Sequence, residues 1–272
     1  MRLIPVLACL PVLVAGQDAR DIVRRSLEAD RKNDLIARQY TYLQRQETRT
    51  LDGSGAVKNR TVVTYDVTLL EGSPYRRLVG RNDQPLPPEE QQREEEKLAR
   101  NIEERSKETA EERKLRLEDA ERRRLRRLEQ IQEVPEAFDF TLAGAARVDG
   151  YEVWVIDAVP RPGYKPKTPA GRILTKVKGR MWIAKQDYEW VKADVETLDT
   201  ITFGGFLLRL AKGGRLELDQ TRVNGEVWLP RHITITASAR IFLIKGVRFD
   251  MEYGFSGYKK FRVESRVVNG GP

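Results

Sequence analysis

Short apolar runs, each bounded by turn residues, begin near Phe138 and continue almost to Val268. The densest are Tyr151-Glu152-Val153-Trp154-Val155-Ile156, Gly179-Arg180-Met181-Trp182-Ile183 and Glu189-Trp190-Val191-Lys192-Ala193-Asp194. They are rich in β-branched and aromatic residues, so they predict an antiparallel meander. In the first run Val153 and Val155 point one way and Trp154 and Ile156 the other. Both faces of that strand are therefore apolar, as a sheet covered on each side requires. Asn224-Gly225, flanked by Leu216 to Val223 and Glu226 to Leu229, predicts a tight hairpin. The pattern further predicts strands over 172–178, 232–242, 247–253 and 259–267. The stretch 206–210 fits either a strand or a short helix.

The N-terminal third has a different pattern. Ala19, Ile22, Val23, Ser26 and Leu27 share one face of a helix predicted over Ala19 to Lys32, with Asp18 as its N-cap. A hairpin follows, with strands over 39–51 and 57–70 around Asp52-Gly53-Ser54-Gly55, then a third strand over 75–81. Asn82 to Pro88 breaks the sheet. From Glu89 to Glu133 there is no glycine or proline, and Glu, Arg, Lys, Ala and Leu dominate. Strong helix propensity is expected there, with acids leading and the arginines around Arg122 closing, as the helix dipole favours. The apolar positions are sparse and hold no heptad. The segment predicts one or two solvated helices that project from the sheet or lie across it.

The expected fold is thus α+β and mainly β: one large curved antiparallel sheet covering an N-terminal helix, with a long charged helical insertion at 89–133. The 272 residues carry a net charge of +8 and are 40% hydrophobic, enough for one large domain over 17–272. Residues 1–16 read as a cleaved export signal, with a retained anchor as the alternative. The single cysteine, Cys9, falls within it, so the exported chain is expected to have no thiol nucleophile. Export also argues against nucleic acid as a partner of the Arg122 cluster.

Catalytic groups are scarce. His232 is the one histidine, so a zinc site of the usual kind has too few ligands, and no Gly-x-Ser-x-Gly elbow accompanies it. Asp157, Asp187, Asp194 and Asp199 are scattered. No phosphate-binding loop is present. No catalytic residue, metal or cofactor is expected. The aromatic set is the more suggestive feature: Tyr40, Tyr42, Trp154, Trp182, Trp190, Phe203, Phe206 and Trp228, with Ile156, are candidates to line an apolar cavity. Arg161, Lys165, Lys167 and Arg172, in and beside a proline-rich loop, are candidates to meet anionic headgroups or a partner.

Four stretches carry a resemblance: Gly150 to Ile156, Gly179-Arg180-Met181-Trp182-Ile183 through Asp194, Val227-Trp228-Leu229-Pro230, and Tyr258-Lys259-Lys260-Phe261. Together with the amphipathic first helix, they resemble the periplasmic LolA/LolB-type lipoprotein carriers of Gram-negative bacteria and their RseB-type relatives. The resemblance implies an unclosed β-barrel around helices and an apolar cavity for lipoprotein acyl chains. It also implies a periplasmic, non-enzymatic carrier with a role in outer-membrane lipoprotein sorting; a monomer is expected. A periplasmic protein-interaction or envelope-stress regulatory module that uses the charged insertion is the alternative, with an envelope protein or a membrane surface as its partner. The insertion has no counterpart in a minimal carrier.

Overall fold

The computed structural model describes residues 18–169, 171–203, 208–241 and 245–261. The order is α1 (Ala19–Ala37), β1 (Tyr40–Leu51), β2 (Val57–Leu70), β3 (Ser73–Arg81) and β4 (Gln84–Pro85). Three helices follow, α2 (Pro88–Ser106), α3 (Ala110–Gln132) and α4 (Val134–Ala137). After β5 (Phe138–Val148) and β6 (Tyr151–Pro160) comes a single turn, α5 (Gly171–Leu174). The chain then runs through β7 (Val177–Ala184), β8 (Trp190–Thr197), β9 (Ile201–Phe203), β10 (Leu208–Leu210) and β11 (Arg215–Val223). It finishes with β12 (Val227–Ile241) and β13 (Lys245–Lys260). The expected signal segment lies outside the described residues.

All pairings are antiparallel, and one curved sheet results, in the order β4-β3-β2-β1-β13-β12-β11-β8-β7-β6-β5. It does not close: β4 and β5 are its two edges, and β9 and β10 extend it beside the far end of β12. Helix α1 begins at Asp18, whose carboxylate accepts from Arg20 N at 3.0 Å. Ile22 and Val23 pack on Ile156, Met181 and Ile183 in the largest buried cluster. The helix runs five residues beyond the predicted Lys32. Tertiary contacts hold the extra turn: Ile36 and Ala37 pack against Tyr40 and Val227. The Asn33 side chain both donates to and accepts from the Trp228 backbone, at 2.7 and 2.8 Å.

The insertion is two helices, broken at Lys107 and Glu108 and restarted by a capping box between Thr109 and Glu112. It joins β4 to β5, so it has to travel from one sheet edge to the other. Its contacts trace the route. Glu90 meets Arg81 at 2.9 Å, Arg113 meets Glu71 at 2.5 Å, and Arg116 reaches Ser73 at 2.7 Å. Arg124 then meets Asp34 on α1 at 2.5 Å, and Arg20 donates to Pro135 O at 2.6 Å. The insertion lies across the fold, and α3 runs antiparallel to α1.

Two predicted strands differ. The 172–178 stretch begins as the helical turn α5, because Thr168 Oγ1 accepts from Gly171 N at 3.0 Å and so opens the turn. Ile173 and Leu174 thereby reach the main cluster. The predicted break after Tyr253 is absent. Strand β13 continues to Lys260 along β1, and the irregularity is absorbed as a register shift between Thr41 and Leu43. The part of the last predicted strand beyond 261 lies outside the described residues.

Candidate binding site

Register assigns every side chain to a face. Ile156, on the face that carries α1, stands opposite Met181, which stands opposite Ala193. The same column continues through Leu218, Ile233 and Tyr253 to Gln46 and Val63. Successive residues alternate faces, so this inner face also takes Leu216, Ile235, Phe249, Met251 and Phe255. The outer face takes their neighbours Glu217, Asp219, Thr234, Thr236, Asp250 and Glu252.

Helix α1 covers the inner face over β5 to β8. Beyond it, over β11, β12 and β13, apolar side chains form a trough. Leu218, Ile233, Ile235, Phe249, Met251, Tyr253 and Phe255 are all half-buried, and Leu216 is 37% exposed. None belongs to the three buried clusters. Tyr42 stands at one end, its ring 5.8 Å from Phe255 and 5.5 Å from Tyr258. Burial pushes the Tyr42 phenol pKa up, against the nearby Arg76. Exposed apolar surface on the same side as a helix-covered core has the composition of a ligand groove.

The outer face is different in kind. Arg180 grips Asp157 with two bonds of 2.6 and 2.8 Å, and Arg215 grips Asp194 at 3.0 and 2.8 Å. Farther along, buried Glu47 accepts from Arg45, Arg49 and Arg60 at 2.7 to 2.9 Å. The Arg60 hydrogen bonds, helped by those of Arg49 and Arg45, hold the Glu47 carboxyl far below its ordinary range despite its burial. His232 belongs to this face, with Nε2 3.0 Å from Glu252 Oε1. Its ring is a strand residue in a charge network, and no hydroxyl nucleophile is bonded to it among the described residues.

The aromatic candidates fall into separate groups. Trp154, Ile156 and Trp190 lie on the inner face under α1, and Trp190 Nε1 donates to Ser26 Oγ at 3.0 Å. Tyr40 is buried at the sheet end, donating to Glu226 at 2.6 Å and accepting from Asn224 at 2.9 Å. Trp182 is on the outer face, with Lys192 Nζ 5.8 Å from its ring centroid. Trp228 is buried with Val153 and Val191, and its Nε1 donates to Asp187 at 3.0 Å. The Phe203 backbone is in β9; its side chain, like all of Phe206, lies outside what is described. Of the candidates whose side chains are described, Tyr42 is the one that touches the trough, through Phe255.

Among the basic candidates, Arg161 bonds Asp139 at 2.9 Å and Phe138 O at 3.0 Å, and Lys167 bonds Glu136 at 2.6 Å. Lys165 and Arg172 are exposed. Their loop is pinned by Glu133 at the end of α3, a buried carboxylate that accepts from Tyr164 Oη, Thr168 Oγ1 and Lys167 N. Burial opposes its ionisation, but these hydrogen bonds prevail and its pKa is lowered.

The trough was signalled in the sequence by strict alternation. Val247, Phe249, Met251, Tyr253 and Phe255 interleave with Arg248, Asp250, Glu252 and Gly254.

No family model and no curated protein matches the chain. Among solved structures, a putative outer membrane lipoprotein-sorting protein domain from Vibrio parahaemolyticus aligns at 9% identity, over 87% of this chain and 92% of that one, with a TM-score of 0.36. A LolA superfamily protein from Nitrosomonas europaea aligns at 10% identity over 89% and 92%, with a TM-score of 0.29. The Pseudomonas aeruginosa MucA/MucB complex aligns at 10% identity over 90% and 99%, with a TM-score of 0.26. These are the kinds of protein the sequence resembles. No helix among the described residues is long and apolar enough to cross a membrane.

Proposed function

We propose that the chain is a periplasmic, non-enzymatic binding protein whose inner-face trough takes acyl chains of a lipid or lipoprotein. The observation that carries this reading is the half-exposed apolar row from Leu216 to Phe255, beside a face whose charges are matched strand by strand. Each methylene moved from water into such a trough contributes about 0.8 kcal/mol. A few acyl carbons therefore give useful affinity, and release requires an acceptor that offers comparable burial.

The test is native mass spectrometry with lipid extraction on protein purified from a periplasm without detergent, followed by titration with a fluorescent fatty-acyl probe. A co-purifying acyl species, or saturable probe uptake, supports the reading. A lipid-free protein that takes up no probe overturns it. A second reading, docking of an envelope protein on the insertion, is favoured by the exposed Ile102, Leu115 and Leu125. It predicts a partner lost when these are made polar while probe uptake persists.

A further inference from the structure

Row by row, the inner face changes character across the sheet. Arg76 stands opposite Val67, and Val67 opposite Tyr42. In the next row Leu78 stands opposite Tyr65, Tyr65 opposite Gln44, and Gln44 opposite Phe255. Both rows lie two residues on, then four, from the row of Val63, Gln46 and Tyr253. Arg76, Tyr65, Tyr42 and Gln44 therefore share the inner face with the trough. The sheet order β3-β2-β1-β13-β12-β11 makes a gradient of it. The face is apolar over β11 to β13, polar but uncharged over β1, where Gln44, Gln46 and Thr48 are half-buried, and cationic at Arg76 on β3. Five strand spacings separate β3 from β11, about 24 Å, which is room for an extended acyl chain and its head.

Arg76 is an unmatched charge at the end of that gradient. Other arginines of β3 are engaged: Arg77 bonds Asp66 at 3.0 Å, and Arg81 bonds Glu90 at 2.9 Å. Arg76 is exposed and forms no hydrogen bond or ion pair with a described residue. Its guanidinium stands 4.2 Å from the centre of the Tyr65 ring, which holds it against the inner face. Tyr42 is close by: burial raises its phenol pKa, and the Arg76 charge opposes that rise. The Tyr42 hydroxyl likewise has no hydrogen-bond partner among the described residues, while its ring meets Phe255 of the trough at 5.8 Å. A guanidinium and a hydroxyl without acceptors, at the polar end of an apolar groove, suit an anionic head. The fork of one guanidinium matches the two oxygens and the single charge of a carboxylate.

We infer that Arg76, with the Tyr42 hydroxyl, takes the carboxylate of a fatty acid whose chain runs over Phe255 into the trough. The inference rests on the function proposed above and narrows it: the cargo is a single-chain fatty acid, and the same chain with a neutral head is a poorer fit.

The experiment compares decanoate, decan-1-ol and acetate at pH 8 by titration calorimetry against the periplasm-purified protein. The expected result is roughly tenfold tighter binding of decanoate than of decanol, the effect of one charge-assisted contact, shrinking as salt is raised. Arg76→Gln, at an exposed strand position, brings decanoate down to the decanol affinity and leaves decanol unchanged. Tyr42→Phe keeps the ring and gives a smaller loss in the same direction. Equal affinity for acid and alcohol, or a preference that survives in both variants, overturns the carboxylate site and leaves the trough reading standing. Acetate binding as tight as that of decanoate would mean an anion site without a chain, and overturns the assignment to a fatty acid. If neither ten-carbon ligand binds and the acyl probe is not taken up, the proposed function falls, and this inference with it.

Discussion

Two buried glutamates show how burial is resolved in opposite ways. Glu133 is supplied with donors, and Gly171 leaves room for it: a Cβ at 171 would fall into the Glu133 carboxylate. Gly171→Ala therefore has to push that carboxylate off Tyr164, Thr168 and Lys167 N, at a cost of about 1–3 kcal/mol. Thermal denaturation measures it, and an unchanged melting temperature would show that the loop yields freely. Glu189 is buried near Asp30 and Asp187, with Arg222 as the counter-charge. Burial first, then the two aspartates, lift its pKa from the usual 4.5 to about 8. The folded state thus holds a proton that the unfolded state releases above the usual value. Glu189 costs nothing below about pH 4.5, and stability falls as pH rises from there through about 8. Glu189→Gln is expected to stabilise the protein by about 1–2 kcal/mol at pH 7 and to leave it unchanged at pH 4. Urea unfolding at the two pH values checks this, and a gain of equal size at both would refute it. Glu133 behaves oppositely: its lowered pKa gives stability that is present at neutral pH and lost as pH falls below the ordinary carboxylate range.

At the scale of elements, the insertion shows what a sequence can and cannot disclose. Its helicity was legible because propensity and charge order are local properties. Its path was not, because it depends on which strands are the sheet edges, a long-range outcome of pairing. The same division holds for the strands. Period-two alternation located them, while the continuation of β13 through Gly254 and Gly257 depended on its neighbour β1. Residue type alone does not assign a face, and large aromatics go wherever burial is greatest. Trp154 and Trp190 therefore serve α1, and Trp228 and Trp182 serve the other side. The milder alternation of β11, β12 and β13 marked the open groove. The insertion's route makes its own prediction. Arg124, largely buried against Asp34, ties α3 to α1. Arg124→Ala is expected to cost about 1–2 kcal/mol, less than a fully buried pair, and to raise amide exchange in α3 ahead of the sheet. Uniform exchange across helix and sheet would mean that the tie is not what holds the insertion down.

The whole molecule is a sheet whose inner face is apolar and only partly claimed by α1, while its outer face is charged apart from a small buried cluster around Val153, Val191 and Trp228. Outside that cluster the outer face needs no cover, because its charges pair across strands; pairs of that kind add little stability individually and keep the face soluble. The inner face beyond α1 has no such arrangement. A protein that left this much apolar surface for no ligand would risk self-association through it. This asymmetry yields a prediction that separates site from scaffold. Ile235→Asp puts a charge in the middle of the trough on a side chain that is only half-buried, so folding survives with a cost of about 1–3 kcal/mol while acyl-probe uptake is abolished. Trp154→Asp puts the charge under α1, in the main cluster, and is expected to unfold the protein. Trp182→Asp removes packing from the Val153, Val191 and Trp228 cluster of the outer face, so it lowers stability while leaving uptake by the folded protein nearly untouched. Circular dichroism and probe titration on the three variants distinguish the faces. If Trp182→Asp lost uptake while Ile235→Asp kept it, the ligand would lie on the charged side of the sheet, and the trough would be no more than a poorly filled core.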